Sequence, residues 1–149
     1  MDLQIFLPIL LYFLAANQEQ RYLNQVPYVE SSYLPEDENG FAIEEVQTKV
    51  FDNIRHLHDH ILGETLEQDD HEIQATYDLF IEVYRNGLAM IELGLEPIEL
   101  PANCQKTSDY WTGEALPEER HVTTDENYMI RSWMSVVTYL MLDDSFVYP

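Results

Sequence analysis

An all-α or nearly all-α domain, an irregular bundle of about four helices with long connecting loops, is the fold that three features of the sequence predict. Two long stretches, Ile43 to Ile61 and Ile73 to Ile91, repeat apolar residues at steps of three and four. A third, Met129 to Met141, is apolar over a wide face. The chain has 149 residues, 46% of them apolar, with ten Tyr, six Phe and two Trp. That is enough to fill one core, so residues 1–149 are expected to form a single domain.

The first element expected is a buried apolar helix over Asp2–Asn17, kinked or started at Pro8. Its run from Leu3 to Ala16 is about fourteen residues, short of the twenty or so that span a membrane. A secretory signal over residues 1–16 is the weaker reading, since no Lys or Arg precedes the run and Asp2 is acidic. No membrane span and a cytoplasmic location are therefore expected. Gln18–Gly40, with Pro27, Pro35 and the turn pair Asn39-Gly40, reads as an extended connector holding at most a short strand within Val26–Leu34.

The stripe Ile43, Val46, Val50, Ile54, Leu57 and Ile61 makes the strongest helix, with Gly63 placed to end it in a left-handed conformation. Ile73, Tyr77, Phe80, Ile81, Tyr84, Leu88 and Ile91 form the next, with Asp69 and Asp70 to cap it and Gly94 and Pro97 to close it. Asn86-Gly87 is a point where this helix is expected to bend. Pro101–His121 has no period and reads as a long loop with at most a short helical turn. Thr123-Thr124-Asp125-Glu126 then has the spacing of a capping box, with Thr123 as cap and Glu126 as its partner. The last helix, reaching to about Leu142, is expected at the centre of the core.

Seven basic against 28 acidic residues leave a net charge of −21. Such a field repels nucleic acid and anionic membranes and attracts cations and basic protein surfaces, so direct binding of DNA or RNA is not expected. High-salt adaptation is the alternative use of such a surface. Twelve of the acids fall between Glu36 and Glu72, where only Lys49 and Arg55 offset them. If the connector, helix and turn that carry them share one face, the carboxylates stand in for DNA phosphates at a basic groove, as DNA-mimic inhibitors do. The leading expectation is thus a non-enzymatic acidic protein that engages a basic partner, possessing no cofactor. Its contact residues are expected to be Glu36, Asp37, Glu38, Asp52, Asp59, Glu64, Glu67, Asp69 and Asp70. Trp111, in the aromatic loop beside Tyr110, is added because Trp is favoured at interface hot spots.

The alternative is a helical metal-binding protein or metalloenzyme. His56 and His60 lie one helical turn apart on the row Asp52, His56, His60, Glu64. His71 is a further candidate ligand, whereas a solvated polar face is the competing reading of the row. The third alternative is a subunit or fragment of a larger assembly, whose last helix would need a neighbour for its wide apolar face. Catalytic motifs are missing: His71-Glu72 lacks the second His of a zinc-protease helix because position 75 is Ala75. There is no phosphate loop and no nucleophile elbow. The single Cys104 excludes an internal disulfide and reads as a small buried hydrophobe.

Overall fold

The computed structural model describes residues 35–143 apart from 38, 41, 110 and 111. The helix expected over Asp2–Asn17 and most of the connector lie outside the described residues. Within them the protein is mostly helical, with three α-helices, short π and 3₁₀ turns, isolated β-bridges and no extended strand.

Helix α1 spans Glu44–Leu57. Before it, a tight turn bridges Glu36 to Ala42, and Gly40 supplies the positive φ of 77° that the reversal needs. Glu44 and Glu45 in the first turn and Arg55 and His56 in the last suit the helix dipole. Val46, Val50, Phe51 and Ile54 are buried along one side. The α-helix then widens into a π turn, His58–Leu62, which Gly63 closes at φ 70°. The change of winding rotates His58 and Ile61 relative to a plain continuation of α1.

Helix α2, His71–Glu92, begins at Asp70, whose side chain accepts the Glu72 backbone N–H at 3.3 Å. Its 22 residues run uninterrupted through Asn86-Gly87, so the helix is not broken at the pair where the sequence suggests a bend. Gly87 serves packing instead: its missing side chain makes room for the Tyr128 ring. The helix ends at Gly94, φ 68°, whose N–H donates to the Ile91 carbonyl at 2.9 Å.

Helix α3 is Met129–Met141. The expected cap at Thr123 is not the one used. Thr123 is held six residues earlier by its carbonyl, which accepts the Leu100 N–H at 2.9 Å, and the helix starts at Met129. Asp125, only 1% exposed, does the capping: its two carboxylate oxygens accept the Ile130 and Arg131 N–H groups, each at 3.0 Å. Tyr128 bridges them in the left-handed region at φ 56°.

Helix α2 rather than α3 is the central element, packing on α1 along one side and most extensively on α3 along the other. At about 33 Å it is the longest helix among the described residues, long enough to serve both neighbours. Phe51 stacks on Tyr77 with ring centroids 4.3 Å apart, and Phe80 meets Trp133 at 4.6 Å. The wide apolar face of α3, Met129, Trp133, Val136 and Leu140, is buried in this same core and so finds its neighbour within the chain.

The segment between α2 and α3 is more ordered than a loop without period. Bridges Glu99↔Thr124, Lys106↔Val122 and Ser108↔Ala115 fold it back on itself as an arm, with a 3₁₀ turn at Glu118–Arg120. A small second core, Leu100 and Cys104 with Val122, Ile130 and Met134, fastens the arm to α3. Cys104 is buried, and burial pushes its thiol pKa up, as suits a core residue.

Candidate functional site

The residues from Asp52 to Glu72 close one end of the α1–α2 hairpin. They comprise the last turn of α1, the π turn, the connection 63–70 and the first residues of α2. The connection is tied down at several points. Arg55 donates through Nε to the Leu66 carbonyl at 3.0 Å and through Nη2 to Glu67 at 3.2 Å. Thr65 donates to Asp59 at 3.1 Å, and Gln74 to the Gln68 carbonyl at 2.6 Å.

Seven acids lie in this stretch, Asp52, Asp59, Glu64, Glu67, Asp69, Asp70 and Glu72, against the one Lys or Arg, Arg55. Asp59, Glu67, Asp69 and Glu72 are exposed. Asp52 is half-buried, 3.9 Å from Arg55. Five of the six expected contact acids in this stretch have internal partners: Asp52 and Glu67 lie against Arg55, Asp59 accepts from Thr65, Glu64 receives His58, and Asp70 caps α2. Carboxylates tied to the fold still contribute charge, but they present fewer open oxygens to a partner.

The acids of the connector do not join this group. Glu36 is clasped by Arg85 of α2, with Nε at 3.0 and 3.1 Å from its two oxygens and Nη2 closer still to Oε1. Asp37 is exposed and accepts the Asn39 N–H at 2.9 Å. Both precede α1, whereas Asp59 follows it, so about 20 Å of helix separates the two groups. That is more than two screening lengths at physiological salt. Glu38 and Trp111 lie outside the described residues. The expected single acidic face thus divides into a hairpin end and a connector turn.

The three clustered histidines take different positions. His58 is only 2% exposed and is held on both sides: Nδ1 lies 3.2 Å from Glu64 Oε2, and Nε2 lies 3.0 Å from Thr76 Oγ1. Thr76 in turn donates to the Glu72 carbonyl at 2.8 Å. A hydroxyl, an imidazole and a carboxylate in this order have the form of an activated nucleophile. Thr76 is fully buried, however, so no substrate reaches its oxygen. The network clamps the π turn and the connection onto α2. His58 stands four residues after Ile54 and three before Ile61, a spacing that places it on the apolar stripe and is the signal for its burial in the sequence.

His56 and His60 stand on the adjoining flank with ring centroids 4.6 Å apart and planes tilted by 30°. His56 is half-buried; burial first, and then the neighbouring His60, hold its pKa below 6.5, with Asp59 acting weakly the other way. Glu64 and His71, the other candidate ligands, are not with them: Glu64 faces His58, and the exposed His71 lies 3.7 Å from Glu72. Among the described residues no group of three or more His, Cys, Asp or Glu is placed to hold a metal ion. One turn before His56, Asn53 is nine-tenths buried and its Oδ1 has no hydrogen-bond partner among the described residues. Nothing in a lone Asn beside a His cluster drew attention to it in the sequence.

No family model, no curated protein and no solved structure matches the chain. Among the described residues no helix is long and apolar enough to cross a membrane.

Proposed function

We propose that the protein is a non-enzymatic acidic binding protein whose hairpin end, Asp52 to Glu72, engages a basic surface of a protein partner. The observation that carries this reading is the seven-to-one excess of carboxylates over Lys and Arg on a connection fastened by Arg55, Thr65 and Gln74. A fixed array of like charges is electrostatically costly, and an incoming cationic surface relieves that repulsion. Because the backbone beneath is already ordered, little further entropy is lost on binding. A nucleic-acid-binding protein presents the kind of basic groove that such an array fits, so inhibition by occupying that groove is the specific form the reading takes.

The test is a pull-down from the source cell, eluted with a salt gradient, followed by kinetics with the partner recovered. Charge reversal of the exposed Asp69 and Glu72, whose carboxylates are not the acceptors of Arg55, Thr65 or Gln74, is expected to slow association and flatten its salt dependence, with circular dichroism unchanged. Reversal at Asp37, on the remote connector turn, is expected to matter less. An affinity that stays level from low to molar salt, or that these reversals leave unaltered, refutes the proposal.

A further inference from the structure

We infer that Asn53, His56 and His60 form a site for one divalent transition-metal ion, held by two imidazole nitrogens and the Asn53 carboxamide oxygen with water completing its coordination. The three residues follow one another at steps of three and four, so they occupy a single row where α1 passes into the π turn. The His56 and His60 rings already lie within 4.6 Å of each other, as two ligands of one ion must. Asn53 adds the independent sign. Its buried Oδ1 lacks a donor among the described residues, and a buried acceptor without a partner is costly enough to ask what satisfies it; a bound ion is one of the few answers.

The surroundings agree with a cation. Asp52 and Asp59 stand on the neighbouring turns, and Lys49, one turn before Asn53, is drawn back to Glu45 at 3.0 Å. Two imidazoles and one neutral oxygen suit copper(II), nickel(II) or zinc(II), with copper bound most tightly by the usual order for such ligands, and do not suit calcium or magnesium. With only three protein ligands, part of the coordination shell stays open to solvent, so the ion exchanges and the fold does not depend on it.

Calorimetric titration of the full chain with copper(II), and separately zinc(II), at neutral pH tests the site, with electron paramagnetic resonance of the copper form counting nitrogen ligands. Binding of one ion per chain and a two-nitrogen spectrum are expected. His56→Ala and His60→Ala should each weaken binding about a hundredfold, the advantage two linked ligands have over one. Asn53→Ala should weaken it less, and its circular dichroism will show whether the fold is intact; His71→Ala and His121→Ala should leave it unchanged. Absence of saturable binding, persistence of binding in the His56→Ala, His60→Ala double variant, or a one-nitrogen spectrum overturns the inference. Undiminished affinity in a folded Asn53→Ala variant overturns the three-ligand assignment.

Discussion

Gly87→Ala places a methyl group where the Tyr128 ring now lies: an ideal Cβ at position 87 falls 2.0–2.2 Å from three of its ring carbons. On an open helix this change would add about 1 kcal/mol of stability, because Ala restricts the unfolded chain and favours the helix. Here the ring has little freedom to retreat. Tyr128 is pinned in the left-handed region, its N–H donates to the Asp125 carbonyl at 3.2 Å, and its carbonyl accepts both the Ser132 N–H and hydroxyl. The Arg131 guanidinium also lies over the ring, 5.0 Å from its centroid. Accommodating the methyl therefore means shifting the start of α3 or swinging the ring out. Overpacking of this kind costs about 1–3 kcal/mol, and losing the cation–π contact adds about 0.5–1 kcal/mol. Set against the propensity gain, a net loss of about 2 kcal/mol is expected, measured by urea unfolding with the slope unchanged. Tyr128→Gly removes both the ring and the left-handed strain, so in that background Gly87→Ala should turn neutral or stabilising. A Gly87→Ala protein as stable as the parent, or a cycle without coupling, refutes the packing argument.

Asp125→Ala is expected to cost about 2 kcal/mol in thermal unfolding, near the upper end for a cap, because one buried carboxylate serves two N–H groups; Thr123→Ala should change stability by less than about 0.5 kcal/mol. The opposite ranking would restore the capping-box reading. Thr76→Val preserves shape but leaves His58 without its Nε2 partner, so a loss of about 1–3 kcal/mol should appear in denaturant unfolding; no loss would mean that the clamp on the π turn is ornamental. His56 makes stability depend on pH. Its folded pKa lies below 6.5, so the unfolded chain binds more protons there; stability is therefore lost as pH falls through and below that value. The melting temperature should fall less steeply between pH 7 and 5 in His56→Gln than in the parent, and identical slopes would remove His56 as a source of acid sensitivity.

The primary sequence by itself determined the elements that depend on local chemistry. Apolar spacing located α1, α2 and α3, because a helix buries whichever residues recur on one side of it. Asp70 before α2 and the left-handed Gly63 and Gly94 were legible for a similar reason: caps act over two or three residues. The nearness of His56 to His60 follows from helical pitch alone. Charge composition set the net charge of −21, but it could not say which acids stand together.

That was decided by tertiary structure. Glu36 went to Arg85, 49 residues away, and so left the array that counting along the chain had drawn, while Glu64 stayed at the hairpin end with one oxygen given to His58 in the π turn. His58 became a core residue because the wider turn brings its ring against Thr76 of the next helix. The start of α3 moved past Thr123 because pairing with Leu100 draws that residue into the arm, leaving Asp125 nearest the open N–H groups. Gly87, read along the chain as a weak point in α2, is a seat for an aromatic ring from another helix. In each case the competing partners lie far apart in sequence, and only the packed chain fixes which one comes within hydrogen-bonding or van der Waals reach.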